Sequence, residues 1–149
     1  GDGAIINWLS AEDVAQVAPI VQSASGQVDA EIVARIFVCP SADAETVRGE
    51  ARRAIAAYLN VPVYAEFHRW LGREALQPMW DAWADGDRKA ALDAIPDHVV
   101  DELIIHGSPD ACREHIARYV ENGVTTPALS VMGFAGVDPV QAARDLAPR

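Results

Sequence analysis

The stretch from Ile104 to Met132 constrains the fold more than any other, because a complete helix signal precedes a strand signal. Ser108 is a residue type that caps helices, and Pro109 follows at the first helical position, where its missing N–H costs nothing. Gly123 predicts a left-handed helix end, and the apolar run Ala128–Met132 predicts a buried parallel strand. Apolar side chains recur between the two helix ends at helical spacing: Cys112, Ile116, Tyr119 and Val120.

Two earlier segments also predict strands. Ala4–Leu9 is short and apolar, and Ser10 and Asp13 behind it form a capping-box pattern for the helix that follows. Glu31–Cys39 is rich in β-branched residues and ends at Pro40, which makes it the strongest strand signal in the chain. Three strands separated by helices indicate an α/β fold with a parallel sheet.

Helical patterns follow one another between the second and third strands. The first has a possible helix start at Asp43 or Ser41, a later one has a possible start at Asp87, and Pro78 is a possible kink. We interpret residues 60–102 as an all-helical insertion within a single α/β domain of residues 1–149. A closed (β/α) barrel takes about 250 residues, so three strands are too few to close one.

Composition excludes several classes of function. A formal net charge of −10 argues against a nucleic-acid or anionic-membrane surface, because both need a basic patch. The sequence contains no apolar run near the roughly 20 residues of a membrane span. Two cysteines are too few for a disulfide framework, so we expect a soluble, cytoplasmic protein. The chain starts at Gly1 without Met, which suggests processing or excision from something longer.

Candidate site residues lie at the carboxyl end of the first strand, where parallel α/β folds place their ligands. Asn7 both donates and accepts hydrogen bonds, so it is a candidate for lining a pocket, although an Asn that caps a strand end is an equal alternative. Trp8 is a candidate for stacking on a flat ring, with a core tryptophan as the alternative. Ser10 follows them at the same end.

The four histidines differ in their suitability for ligand binding. His106 lies just before the Ser108 cap, where it meets either a ligand or local backbone. His68 and Arg69 lie in the insertion and either hold an anionic substrate or form a solvated helix face. His98 and His115 have charged neighbours and are expected on the surface. Metal-ligand spacing such as H-x-x-x-H is missing, so the sequence predicts no metal site.

Other catalytic signatures are missing from the sequence. It has no G-x-G-x-x-G, Walker or G-x-S-x-G motif. Cys39 ends a strand and Cys112 lies on the apolar stripe of its helix, so both are expected to be buried thiols. No catalytic residue is therefore predicted in this chain.

The pattern HGSP-D-x-C-R-x-x-I-x-x-Y-x-x-x-GVTTP, preceded by apolar residues, resembles the C-terminal signature of the luciferase-like monooxygenase superfamily. Within it, the similarity is to the deazaflavin (coenzyme F-420)-dependent oxidoreductases. The opening GDGAIINWLSAEDV resembles a strand near the middle of those proteins, and YLNVPVYAEFHRWLG resembles their helical insertion. The resemblance covers nearly the whole chain but about the last half of a typical family member.

This resemblance implies that the strands are the sixth to eighth of a (β/α)8 TIM barrel, and that the chain is its C-terminal part. It also implies hydride transfer or monooxygenation on a small organic substrate, with coenzyme F-420 or FMN in the intact enzyme. In relatives, the residues that grip the cofactor ring and supply acid or base lie mainly on the first strands. We therefore expect this chain alone to be inactive and to bind no cofactor tightly.

The alternative is a stand-alone, non-catalytic α/β module that folds by oligomerising. Three strands leave two open sheet edges, and such edges pair readily with another chain. A monomer would leave Ile32, Ile36 and Val38, or their neighbours on the opposite face, partly in water. The sequence therefore predicts a homo-oligomer, most simply a two-fold dimer.

Overall fold

The computed structural model describes residues 2–26 and 30–148. The chain forms two compact units. The first contains Gly1–Ala44 and Glu102–Arg149, and the second is Glu45–Asp101. The sequence Ser25-Gly26-Gln27 predicts the end of the first helix. Gly26 has a left-handed φ of 68°, and Gln27 lies outside the described residues.

Four strands and eight α-helices make up the described structure, and α2 and α6 each cross the boundary between the units. In chain order they are β1 (Gly3–Asn7), α1 (Ala11–Ser25), β2 (Glu31–Cys39), α2 (Ala44–Leu59), α3 (Pro62–Trp70), α4 (Gln77–Ala84), α5 (Arg88–Asp93), α6 (Asp97–Leu103), β3 (Ile104–His106), α7 (Pro109–Glu121), β4 (Thr126–Val131) and α8 (Pro139–Leu146). Short 3-10 turns lie at Glu74–Leu76 and Phe134–Gly136.

The sheet of the first unit is built around β2, and every pairing in it is parallel. Val33 pairs with Ile5 of β1 and with Thr126 of β4, so β1 and β4 lie on opposite sides of β2. β3 continues the β1 side and pairs Cys39 with His106. The predicted α/β class with a parallel sheet is confirmed.

The two faces of β2 differ sharply in burial. One face consists of Ile32, Ala34, Ile36 and Val38, all of them buried. On the other face Glu31 and Arg35 are exposed and Val33 is half-buried, while Phe37 and Cys39 are buried near the end of the strand. Apolar side chains at every second position place the core on the first face.

The strand predictions need three corrections. β1 ends at Asn7 and not at Leu9, because Trp8 adopts a left-handed conformation (φ 59°) that a strand cannot contain. β3 was missed because three residues at the end of a helical pattern give no periodicity. β4 was predicted to be buried, but much of it is exposed, because in the described chain it pairs with β2 alone.

The helix caps agree with the sequence. The Ser10 N–H donates to Asp13 Oδ2 at 2.8 Å, and the Asp13 N–H donates to Ser10 Oγ at 3.1 Å, which completes the capping box. Ser108 accepts from the Ala111 N–H at 3.2 Å at the start of α7. Gly123 has φ 115°, and a Cβ there would lie 2.9 Å from the Ala18 Cβ, so glycine is required.

Two hydrogen bonds connect the C-terminal end of α7 and the residue after it with the start of α1 and the segment before it. The Tyr119 hydroxyl donates to the Leu9 carbonyl at 2.8 Å, and the Asn122 side-chain amide donates to the Ala11 carbonyl at 2.7 Å. Tyr119 is buried as its position on the stripe predicts. Val120, predicted on the same stripe, is 49% exposed, because it follows Tyr119 by about 100° around the helix.

The second unit is entirely helical. The Trp80 indole donates to the Leu59 carbonyl at 2.9 Å, and Met79 and Ile55 are among its buried side chains. Arg48 binds Asp101 through two hydrogen bonds of 2.8 and 2.5 Å. Pro78 lies in the first turn of α4 and does not kink a longer helix, because the preceding turn is 3-10.

Candidate functional site

The carboxyl ends of β2, β3 and β4 lie together in the first unit. Cys39 is the register partner of His106, and the Gly107 N–H donates to the Ser41 carbonyl at 2.9 Å. The Met132 N–H donates to the Val38 carbonyl at 2.8 Å, which brings the end of β4 to the same level. This carboxyl edge is where a parallel sheet presents side chains to a ligand.

Asn7 and Trp8 lie lower on the sheet than the sequence suggested. Asn7 pairs with Arg35, four residues before Cys39 along β2, which corresponds to roughly 13 Å of strand. Asn7 is half-buried there. The structure therefore places His106 beside Cys39, whereas Asn7 lies four residues of β2 farther from the carboxyl edge.

Trp8 packs as a core tryptophan. It is 1% exposed, and its ring stacks on Phe37 with a centroid distance of 4.1 Å. The Arg35 guanidinium lies 4.9 Å from the centroid of the same Phe37 ring, so the three side chains form one stack. A non-glycine residue with positive φ is strained, and this packing offsets the strain. A role for Asn7 and Trp8 in lining a pocket stays a prediction.

The Ser10 hydroxyl caps the N-terminus of α1. It is buried and accepts the Asp13 N–H in the capping box. The structure thus assigns Ser10 a local role at the helix start, and its predicted pocket role stays a prediction.

His115 is a residue that the sequence analysis placed wrongly on the surface. It is half-buried, and its ring lies 6.1 Å from that of Tyr119. Burial lowers the pKa of His115, and the neighbouring His106 lowers it further. The signal was present in the sequence, because His115 lies three residues after Cys112 and four before Tyr119, on the same helix face.

The two cysteines are buried, as predicted. Cys39 Sγ lies 3.5 Å from the Phe134 carbonyl, and Cys112 Sγ lies 3.9 Å from the Gly107 carbonyl. Burial raises the pKa of Cys112 to about 11. A thiol with so high a pKa is rarely ionised near neutral pH, so it is a poor nucleophile.

His68 and Arg69 lie in the second unit and have different environments. His68 is completely buried, and its ring meets the Phe67 ring edge-on at 6.2 Å. Arg69 is exposed, and its guanidinium lies 4.2 Å from the centroid of Trp80. A surface that both present to an anionic substrate therefore stays a prediction. His98 is exposed, as expected.

Within residues 2–26 and 30–148, no group of three His, Cys, Asp or Glu side chains has the geometry to hold a metal ion. In the same part of the chain, no helix has the length and apolar character needed to cross a membrane.

A parallel sheet with open edges, followed and interrupted by helices, defines part of a TIM-barrel-type α/β protein. The chain belongs to the luciferase-like monooxygenase family, whose model matches residues 1–126. It is also similar in fold to the coenzyme F-420-dependent tetrahydromethanopterin reductase from Methanopyrus kandleri, with a TM-score of 0.67 and 15% sequence identity. None of the curated proteins matches the chain.

The extent of the structural match is uneven. The superposition covers 98% of this chain but 43% of the reductase chain, so this chain spans less than half the length of that enzyme. The resemblance to the luciferase-like superfamily and the partial-barrel fold class are both confirmed.

Proposed function

We propose that this chain is the C-terminal part of an oxidoreductase that uses coenzyme F-420 or FMN and acts on a small organic substrate. The observation that carries the proposal is the combination of a family match over residues 1–126 with coverage of 43% of the reductase. The sheet agrees with it, because β1 and β4 each pair with a strand on one side in the described chain. In a closed barrel every strand has two neighbours.

The carboxyl edge fits one wall of a cofactor pocket. His106 supplies a hydrogen-bonding group at the ends of the strands, and Asn7 supplies another on the level below. A bound flavin or deazaflavin would accept or donate the hydride, and this wall would orient it.

The arginines of α7 are not available as phosphate-binding cations. Arg113 pairs with Asp110, and Arg118 pairs with Glu12, so both guanidinium groups already have carboxylate partners. We therefore propose that groups other than these two guanidinium groups hold the charged tail of the cofactor. That division agrees with the expectation that the isolated chain is inactive.

The gene tests the proposal most directly. We expect the open reading frame to continue upstream of the Gly1 codon with about half a barrel, and the longer protein to bind reduced F-420 or FMN. An open reading frame that starts at this chain would overturn the proposal and favour the stand-alone module.

Activity measurements give a second test. The 149-residue chain mixed with reduced F-420 or reduced FMN should oxidise neither cofactor faster than the protein-free blank, as followed by absorbance. In the longer protein, Asn7→Ala should raise the dissociation constant of the cofactor or substrate and leave the thermal midpoint nearly unchanged. Turnover by the 149-residue chain would contradict this division of roles.

A further inference from the structure

Asn122 is the C-cap of α7 and is followed directly by Gly123. The other two asparagines of the sequence, Asn7 and Asn60, precede larger residues. An asparagine before glycine loses its side-chain amide more readily than other asparagines do, because glycine has no Cβ to hinder the approach of its backbone nitrogen. The sequence therefore places one reactive linkage in the chain, at the end of α7.

The loss of the amide requires only the chain and water. The Gly123 backbone nitrogen gives its proton to hydroxide and attacks Cγ of Asn122. The Cγ–Nδ2 bond breaks, Nδ2 leaves as ammonia with a proton taken from water, and a succinimide ring remains. Water then opens the ring at either carbonyl and leaves aspartate or isoaspartate. Nothing is oxidised or reduced, and the net change replaces a neutral amide by a carboxylate.

The folded chain holds both reacting groups in an unreactive geometry. Asn122 has a ψ of 3°, so the Gly123 nitrogen eclipses the backbone nitrogen of Asn122 and not its Cβ. The Gly123 N–H also donates to the Val120 carbonyl at 3.0 Å. The Asn122 side-chain amide donates to the Ala11 carbonyl at 2.7 Å. Ring closure therefore requires a rotation at Asn122 and the loss of these hydrogen bonds.

Contacts with α1 and the segment before it oppose that rotation. We define the α1–α7 junction as three pairs: Asn122 with Ala11, Tyr119 with Leu9, and Gly123 with Ala18. The buried Tyr119 hydroxyl donates to the Leu9 carbonyl at 2.8 Å. A Cβ at Gly123 would lie 2.9 Å from the Ala18 Cβ, so the backbone packs closely there. Because the rotation moves Gly123, the reactive geometry requires the junction to open.

We propose that Asn122 is a site of spontaneous deamidation, which the closed α1–α7 junction protects and which local opening of the junction exposes. Local openings need less free energy than global unfolding. The modification changes the junction permanently, because a carboxylate has only acceptors and cannot donate to the Ala11 carbonyl. Each modified chain therefore has a weaker junction than before. The proposal does not depend on the proposed enzymatic function.

Peptide mass spectrometry measures the modification in the 149-residue chain during incubation in mildly alkaline buffer. Cleavage after arginine places the three asparagines in separate peptides. Asn122 should be modified at least about tenfold faster in urea than in native buffer, because the ratio of the two rates reports the opening equilibrium of the junction. In urea, Asn7 and Asn60 should be modified more slowly than Asn122.

Tyr119→Phe tests the junction itself, because it removes one hydrogen bond and keeps the ring. This variant should raise the rate at Asn122 in native buffer by about three- to tenfold and leave the rate in urea unchanged. Tyr58→Phe, at an exposed tyrosine of α2, is the matched control and should change neither rate. Circular dichroism checks that both variants are folded in native buffer.

Asn122→Asp makes the aspartate product directly and should lower the urea midpoint of unfolding, because the bond to the Ala11 carbonyl is lost. Equal rates at Asn122 in native buffer and in urea would overturn the proposal, since the junction would then give no protection. A folded Tyr119→Phe chain modified no faster than wild type, or an Asn122→Asp chain as stable as wild type, would also overturn it.

Discussion

The two faces of β2 belong to the same nine residues, yet one is sealed and the other is open. Ile36 is 1% exposed on the sealed face, whereas its neighbour Arg35 is exposed on the open one. The four side chains of the sealed face are all buried. Toward the carboxyl end, Trp8 covers the open face by stacking on Phe37. Toward the amino end, the open face is exposed. The chain therefore buries one face of β2 and leaves the amino-end part of the other face exposed.

Removing Trp8 should have the largest effect on stability, because this side chain covers the carboxyl-end part of the open face. Trp8→Ala should lower the free energy of unfolding by about 4 kcal/mol through lost packing against Phe37. Urea denaturation measures the change. Trp70→Ala, at an exposed tryptophan of α3, is the control and should cost less than about 1 kcal/mol. Similar losses for the two variants would show that Trp8 is not a core residue.

Substitutions at two β2 positions, one on each face, compare the faces directly. Ile36→Ala should cost about 3 kcal/mol in unfolding free energy, because it opens a cavity on the sealed face. Val33→Ala on the open face should cost less than about 1 kcal/mol when measured at a concentration where the chain is monomeric. A larger loss for Val33 than for Ile36 would reverse the assignment of the faces.

Ser10→Ala tests the junction that carries the chain from Trp8 into α1. Loss of the capping hydroxyl should lower the unfolding free energy by about 1 kcal/mol. Ser23→Ala, at an exposed position of the same helix, should change it by less than about 0.5 kcal/mol. An unchanged stability of Ser10→Ala would mean that the capping box contributes nothing to α1.

The smallest expected effect is a pH dependence from His115. Because its pKa is lowered from 6.5 in the folded chain, the unfolded chain binds more protons in acid. The contribution of His115 to stability is therefore complete above pH 6.5 and is lost as the pH falls through the folded pKa. His115→Gln should flatten the urea midpoint between about pH 7.5 and about pH 5. An equally steep decline in the variant would place the titrating group elsewhere.

The sequence predicted the parts of the fold that depend on local physics. The Ser10 and Ser108 caps, the β2 strand and the Gly123 helix end follow from propensity and capping chemistry, and all are present. The length of β1 could not be predicted, because the left-handed turn at Trp8 depends on packing against Phe37, about 30 residues away. The three-residue β3 likewise depends on its pairing with the end of β2.

The candidate site was less accessible to sequence reasoning. The sequence placed Asn7 and His106 at the carboxyl ends of their segments. The register of β1 against β2 places Asn7 farther than His106 from the carboxyl end of β2. Register depends on tertiary contacts and not on composition. His115 was missed because its charged sequence neighbours concealed a position on the buried helix face.

The hydrogen bonds from Tyr119 and Asn122 to Leu9 and Ala11 have a consequence for the order of folding. The two bonds span sequence separations of 110 and 111 positions. They therefore cannot form on the ribosome until most of these 149 residues have been synthesised. Within the helical unit Glu45–Asp101, the Arg48–Asp101 contact spans 53 positions, about half that separation. Contacts between distant residues slow folding, because the loop entropy is lost before they form. The helical unit should therefore acquire structure during synthesis, while the sheet must wait for α7 to emerge.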